Sequence, residues 1–297
     1  METELIITHS PFLQLPIESV LAPTRYGDTH ILASGPQDAP PLVLLPAMGV
    51  TSRMWQPNRA ALGRDYRTYA LDVIGDMGKS VLYDQEHYPK NGQAHSEWLV
   101  DVFDEIGIEG AHVIGASMGG WIAMSHAIHA PERVKRMVLL RPMGLPSWWT
   151  TLKVLSHLWS VFLFPTQSNI ERTIHWALGE NSSVRAAADF IATGARNFST
   201  YKVAPPLPVL DDQLRKIKTP MLLMLGERDN VIGNALEIAK RARRFIPHVT
   251  VDILPNTGHM MNTEKPEYVN ARILSFLQEV NHEHKDGDAF RRKSEDR

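Results

Sequence analysis

Short apolar runs alternate along this chain with longer stretches in which apolar residues recur every third or fourth position. Leu42-Val-Leu-Leu45, Thr68-Tyr-Ala-Leu71, Ala111-His-Val-Ile114, Arg136-Met-Val-Leu-Leu140, Met221-Leu-Leu-Met-Leu225 and Val249-Thr-Val-Asp-Ile253 read as strands. Several are apolar on both faces, as a parallel sheet covered by helices on each side requires. Between them, His95 to Ile106, Met118 to Ala130, Ile232 to Phe245 and Lys265 to Val280 carry the helical spacing. The alternation predicts a wound α/β sheet.

One segment breaks this rhythm. From about Pro142 to Pro208, after the strand ending at Leu140, helical patterns occur without a strand signal. Trp148, Leu152, Leu155, Trp159 and Phe162 share one helical face, and further helices are expected near Ile170 to Leu178 and Ser183 to Thr193. The segment reads as an inserted helical cap over 142–208, between core segments 1–141 and 209–280. Four tryptophans fall inside it, Trp148, Trp149, Trp159 and Trp176. They read either as the core of a helical subdomain or as the lining of a pocket between insertion and sheet, where ligand sites commonly form. Residues 281–297 hold five basic and five acidic residues with almost nothing apolar, and are expected to be a disordered tail.

Composition narrows the class. In 297 residues, 31 Lys and Arg face 33 Asp and Glu, a formal charge of −2, and this balance argues against a nucleic-acid or acidic-membrane partner. With 43% hydrophobic and 22% charged residues the chain can bury one large core. Cysteine is absent, which removes disulfides, thiolate metal sites and cysteine nucleophiles. Glu2 and Glu4 stand where a secretory signal would carry Lys or Arg, and about 18 consecutive apolar residues occur nowhere. A soluble, cytoplasmic protein is expected. No signal for an oligomeric state is present.

The chemistry gathers at strand ends. Gly115-Ala116-Ser117-Met118-Gly119 is a G-x-S-x-G sequence placed after a strand and opening a helix. A serine on so sharp a turn needs small neighbours two positions away on each side, and Gly115 and Gly119 supply them. The turn lifts Ser117 Oγ above the sheet and aims the Met118 backbone N–H at a forming oxyanion. A serine hydroxyl needs a base, and the base needs an acid that fixes its tautomer. Glu227-Arg228-Asp229 follows one late strand and Gly258-His259 follows the next. Of the 13 histidines only His259 occupies such a loop; His126 and His129 sit on the helix after the turn, and His157 and His175 lie in the insertion. Glu227 competes with Asp229 as the acid. Gly78-Lys79-Ser80 lacks the glycine that a phosphate loop needs five positions earlier, Val73 standing there, and no G-x-G-x-x-G occurs, so neither ATP nor a nicotinamide cofactor is expected.

The order Ser117, Asp229, His259 resembles the α/β-hydrolase superfamily. The stretches Leu71 to Ser80, Trp98 to Ile108 and Leu225 to Asp229 are similar to its bacterial carboxylesterases. The resemblance covers roughly residues 16 to 280. It implies an α/β-hydrolase fold: a mostly parallel sheet of the eight-stranded type, helices on both faces, and a helical cap inserted after the sixth strand. It implies Asp229 rather than Glu227 as the acid, and the backbone N–H of Met48 as the second oxyanion donor beside Met118. Here the chain departs from many relatives, with Pro46-Ala47-Met48-Gly49 in place of a His-Gly pair.

The function so implied is a serine hydrolase cleaving a carboxylic ester through an acyl-enzyme on Ser117, with no metal and no organic cofactor. The Trp-rich insertion, and methionines at 48, 118, 260 and 261, point to a small-to-medium hydrophobic ester, with Trp149, Trp159 and Met260 as substrate contacts. Met and Trp there equally suit sealing the cap to the sheet. A C–C bond hydrolase, lactonase, thioesterase or cofactor-free perhydrolase would use the same three residues, and a ligand-binding member of the fold would retain them without turnover. Haloalkane dehalogenases and epoxide hydrolases carry Asp where Ser117 stands and are disfavoured.

Overall fold

The computed structural model describes residues 3–6, 15–164, 166–178 and 202–279. The sheet is formed by β1 (Thr3–Ile6), β2 (Ile17–Pro23), β3 (Gly27–Ser34), β4 (Pro41–Leu45), β5 (Arg67–Leu71), β6 (Val81–Leu82), β7 (Ala111–Ala116), β8 (Val134–Leu140), β9 (Met221–Gly226) and β10 (Val249–Leu254). Its order is β1-β2-β3-β5-β4-β7-β8-β9-β10, with β6 pairing β3. From β5 to β10 every pairing is parallel, whereas β1, β2, β3 and β6 pair antiparallel. The eight-stranded plan thus gains two short strands at its antiparallel end, β1 and β6.

Alternate residues of the parallel strands feed two separate cores, because successive strand side chains point to opposite faces. Val43, Leu45, Val113, Leu223 and Leu225 pack with Trp98, Leu99 and Phe103 of α2 (Gly92–Glu105) and Ile122 and Ala123 of α3 (Met118–His129). Leu42, Leu44, Ile114, Leu222 and Met224 face the other way, onto Leu62 at the end of α1 (Gln56–Leu62) and Val269, Ile273 and Phe276 of the C-terminal helix Pro266–Gln278. Burial on both sides explains why these strands read as unbroken apolar runs. Helix α2 begins three residues before its periodic pattern because the Asn91 side chain accepts the Ala94 N–H at 2.9 Å and so satisfies an otherwise unpaired terminal amide.

The antiparallel hairpin of β2 and β3 escapes the sequence reading. Val20 and Ala22 are buried, but Leu21 between them is exposed and Ser19 and His30 are polar, so neither strand shows an apolar run. A turn closes the hairpin, with Thr24 Oγ1 donating to the Gly27 carbonyl at 2.7 Å.

Between β8 and β9 lie α4 (Trp148–Leu163) and α5 (Gln167–Leu178). The helical face expected for α4 needs correction at its start: Trp148 and Leu152 are half exposed, while Thr151 and Val154 are buried. The side chains of Leu155, Trp159 and Phe162, the helix expected at Ser183 to Thr193, and the tail 281–297 lie outside the described residues. Helix α5 meets α4 and the loop after β9 at Trp176, whose ring stacks on His157 at 3.9 Å and whose carbonyl accepts Asn230 Nδ2 at 3.1 Å. Among the described residues no helix is long and apolar enough to cross a membrane.

Candidate active site

Strands β7, β9 and β10 run parallel and end on the same side of the sheet, and the loops they enter carry Ser117, Asp229 and His259. Ser117 bridges β7 and α3 with φ +50° and ψ −111°, a conformation that costs a non-glycine residue on the order of 1–3 kcal/mol. The surroundings impose it. Ser117 N–H donates to the Leu140 carbonyl of β8 at 3.0 Å, and the Ser117 carbonyl accepts the Met143 N–H at 2.9 Å. A Cβ on Gly115 would stand 2.3 Å from the Gly119 carbonyl oxygen, and one on Gly119 would stand 2.2 Å from that of Leu45. Both glycines are therefore required by closeness of backbone. Ser117 Oγ makes no hydrogen bond to another described residue, so its hydroxyl is free to meet a ligand.

Two backbone amides remain open beside it. Among the first amides of α3, those of Gly119, Gly120 and Trp121 find acceptors, leaving Met118 N–H without a partner among the described residues. In the facing loop, Ala47 N–H meets Met54 Sδ at 3.2 Å and Gly49 N–H meets the Asp76 carboxylate, whereas the amides of Met48, and further on Val50 and Thr51, have no partner among the described residues. Pro46, which has no N–H, contributes its carbonyl instead: it accepts Gly119 N–H at 3.0 Å and ties this loop to the start of α3.

Asp229 Oδ2 and His259 Nδ1 are 2.7 Å apart. Asp229 Oδ1 accepts the Val231 and Ile232 amides at 2.9 and 3.2 Å, which fixes the carboxyl plane. Burial alone would push the Asp229 carboxyl up; the charge and hydrogen bond of His259, helped by Arg141 and the Ile232 amide, outweigh it and hold the group below the ordinary carboxylate range. An ionised carboxylate only accepts, so Nδ1 carries the proton and Nε2 presents a lone pair. Burial also holds the imidazole below its ordinary range, opposed by the Asp229 charge and reinforced by the Arg141 charge, so His259 is neutral at pH 7. Glu264 braces the loop, accepting Gly258 N–H at 2.9 Å and Met260 N–H at 3.1 Å. The competing carboxylate, Glu227, is turned away from the imidazole and accepts Asn256 N–H at 2.9 Å.

Of the expected substrate contacts, Met260 is buried next to His259, Trp149 is 83% exposed, and the Trp159 side chain lies outside the described residues. The sequence reading missed Arg141. It follows β8 directly, is wholly buried with φ +43°, and gives its N–H to the Met224 carbonyl at 2.8 Å. Nη2 lies 3.8 Å from Met260 Sδ, while Nε and Nη1 have no partner among the described residues. Burial pulls this guanidinium down to about 10, against the raising charges of Asp229 and Glu264. A cation directly after the apolar run Met137 to Leu140, before Pro142, was the available signal.

A second Ser, His, Asp chain exists. Ser19 Oγ lies 2.9 Å from His30 Nε2, and His30 Nδ1 lies 2.8 Å from Asp72 Oδ2. Ser19 sits inside the regular strand β2, paired with Leu32, and not on a turn. Asp72 also accepts Ser52 N–H at 2.7 Å and Lys79 N–H at 2.9 Å, which makes this chain a clasp between loops.

Known proteins are similar to this chain in sequence and fold. A sequence model described as the alpha/beta hydrolase family matches residues 42–272. An uncharacterized carboxylesterase, nap, of Bacillus subtilis (strain 168) is 37% identical over 262 residues, covering 86% of this chain and 84% of its own. Carboxylesterase YbfK of the same organism is 35% identical over 275 residues, covering 88% and 89%. The crystal structure of naproxen esterase (carboxylesterase NP) from Bacillus subtilis superposes with a TM-score of 0.78 at 33% identity, covering 89% of this chain and 93% of that one. The chain belongs to the alpha/beta hydrolase family.

Proposed function

We propose that the protein is a carboxylesterase acting on small-to-medium hydrophobic esters through an acyl-enzyme on Ser117. The observation that carries this reading is the hydrogen-bonded, buried Asp229–His259 pair beyond the same strand ends as the strained Ser117 turn and its open amide. The similar carboxylesterases of Bacillus subtilis support the ester bond as the target.

Ser117 Oγ attacks the ester carbonyl carbon as His259 Nε2 takes its proton, while Asp229 holds Nδ1–H and stabilises the imidazolium. The negative charge that forms on the carbonyl oxygen is received by the N–H groups of Met48 and Met118. The intermediate collapses, His259 protonates the leaving alkoxide, and the alcohol departs. Water, deprotonated by the same nitrogen, then attacks the acyl-enzyme and the acid is released with Ser117 restored. Each step is proton transfer and acyl transfer on protein groups, and none calls for a metal or organic cofactor.

The substrate side is apolar. Met118 is buried and Met48 half-buried at the loops with open amides, and Met260 is buried beside His259, where thioethers adapt to irregular acyl shapes, whereas Met261 belongs to the core on the other face of the sheet. Met260, Trp149 and Trp159 are the proposed contacts, Met260 buried beside His259 and Trp149 exposed. No nucleic acid or membrane surface enters the scheme, and a cytoplasmic setting is part of it, to be checked by cell fractionation. Hydrolysis of p-nitrophenyl esters graded in acyl length tests the reading: turnover is expected, favouring acyl chains beyond acetyl and abolished in Ser117→Ala. Turnover that survives Ser117→Ala, or its absence across the whole series, would overturn it.

A further inference from the structure

We infer that Asp76 is the positioning residue of the loop that supplies the Met48 N–H, its buried carboxylate gripping the Gly49 amide so that the neighbouring N–H faces the forming oxyanion. The inference rests on the reading of Met48 as an oxyanion donor.

Residues 46–52 run past Ser117 without regular structure until the turn at Ser52–Trp55, so each anchor of this loop can be named. One end is tied by Gly119 N–H to the Pro46 carbonyl at 3.0 Å, and the other by Ser52 N–H to Asp72 at 2.7 Å. Between them, Ala47 N–H has only a thioether acceptor, Met54 Sδ. Gly49 cannot hold itself: its φ is +72°, nothing stands within 4 Å of where a Cβ would be, and glycine exchanges between left- and right-handed conformations at little cost. What fixes it is Asp76, whose Oδ1 and Oδ2 lie 3.1 and 3.0 Å from Gly49 N. Only the φ and ψ of Met48 separate the Gly49 amide from the Met48 amide, so a grip on one orients the other.

Asp76 is itself held in place. Oδ1 accepts its neighbour's amide, Met77 N–H, at 2.7 Å, and adjacent Gly75 is in backbone contact with Lys202, whose N–H donates to the Gly75 carbonyl at 2.8 Å. Among the described residues no Lys, Arg or His forms an ion pair with this buried carboxyl, and burial pushes it up to about 7, with Asp72 adding a like charge. A carboxyl kept in so unfavourable a place, with Oδ1 shared between Met77 and Gly49 and Oδ2 given to Gly49, is placed for that loop amide. Asp72 and Asp76, four residues apart, grip the loop at Ser52 and Gly49 respectively; His30 and Ser19 back the first, and Lys202 encloses the second.

The test compares Asp76→Ala and Asp76→Asn in the full chain, using p-nitrophenyl butyrate as substrate and a butyl trifluoromethyl ketone, which forms a tetrahedral adduct on serine. Loosening a donor should cost less than removing one, for which about 10²- to 10³-fold is typical, so Asp76→Ala is expected to lower kcat by about 10- to 100-fold with KM changed less than about threefold. The ketone should lose affinity by the same factor as kcat/KM, because it samples the tetrahedral geometry. Asp76→Asn keeps one accepting oxygen and should retain kcat within about fivefold of the parent. If the alanine variant does not fold, Asp76→Ser replaces it, since its oxygen falls short of Gly49 and the same loss is expected. Unchanged kcat in the folded Ala or Ser variant, unchanged ketone affinity, or an Asn variant no better than Ala overturns the inference. Ser117→Ala run alongside separates the two readings: if it retains turnover the esterase reading itself has failed, and if it is dead while Asp76→Ala is normal only Asp76 is misassigned.

Discussion

Gly119→Ala measures how closely catalysis depends on the approach of α3 to the end of β4. An alanine Cβ there would lie 2.2 Å from the Leu45 carbonyl oxygen and 2.6 Å from both the Leu45 carbonyl carbon and the Pro46 oxygen. Ordinary contact begins near 3.4 Å, so the two backbones must part by 3.4 − 2.2 = 1.2 Å. None of the three atoms belongs to a flexible side chain. The same movement lengthens the 3.0 Å bond from Gly119 N–H to Pro46, which links the two loops bearing the open amides. Overpacking of this kind costs about 1–3 kcal/mol in stability, and a 1 Å misplacement of catalytic groups costs about 10²-fold in rate. Steady-state hydrolysis of p-nitrophenyl butyrate and urea unfolding should therefore show both losses, with the fall mainly in kcat. Gly107→Ala is the control: its φ is +72° with open space around it, so it loses about 1 kcal/mol of stability and no activity. A folded Gly119→Ala enzyme with parental kcat would refute the reasoning.

Three further outcomes are expected. Asp229→Asn should lower kcat by about 10⁴-fold, as loss of the orienting carboxylate leaves the wrong imidazole tautomer, whereas Glu227→Gln should stay within about twofold; comparable losses in both would contradict the geometry. Because burial, with the Arg141 charge, outweighs the raising charges of Asp229 and Glu264 and holds His259 below its ordinary range, the acid limb of kcat/KM should lie below pH 6.5. Arg141→Met removes a lowering charge and should move that limb to higher pH; a limb that stays put would show that Arg141 does not act on His259. His126 is wholly buried and held down to about 3 from 6.5, so the unfolded chain takes up its proton first on acidification, and the stability it contributes is present above pH 6.5 and lost as pH falls toward 3. From pH 7.5 to 5 the parent should lose about 2 kcal/mol more than His126→Gln in urea unfolding, and parallel losses would refute the assignment.

The parallel strands were legible because burial on both faces leaves no polar positions, as in Met221 to Leu225. The Ser117 turn was legible because glycines are needed at 115 and 119 and nothing else fits. The β2–β3 hairpin was not, since Ser19 and His30 belong to the clasp with Asp72 and interrupt the apolar pattern. The start of α4 shows the limit of periodicity: it places Trp148 and Leu152 on one face, but the core is met by Thr151 and Val154, and which side a helix presents depends on what it packs against. Spacing could not separate Glu227 from Asp229; only the folded loops do, by giving one carboxylate to Asn256 and the other to His259. Asp76 and Arg141 were invisible for a related reason. Each is an ordinary surface residue type in the sequence, and only tertiary burial without a matching ion pair makes it exceptional.

Fluorophosphonate labelling, followed by identification of the modified peptide, tests most directly whether this hydroxyl is the nucleophile. Stoichiometric modification confined to Ser117, blocked by prior reaction with the trifluoromethyl ketone and lost in His259→Ala, is the result expected. Modification at any other serine, or undiminished labelling of Ser117 without His259, would contradict it.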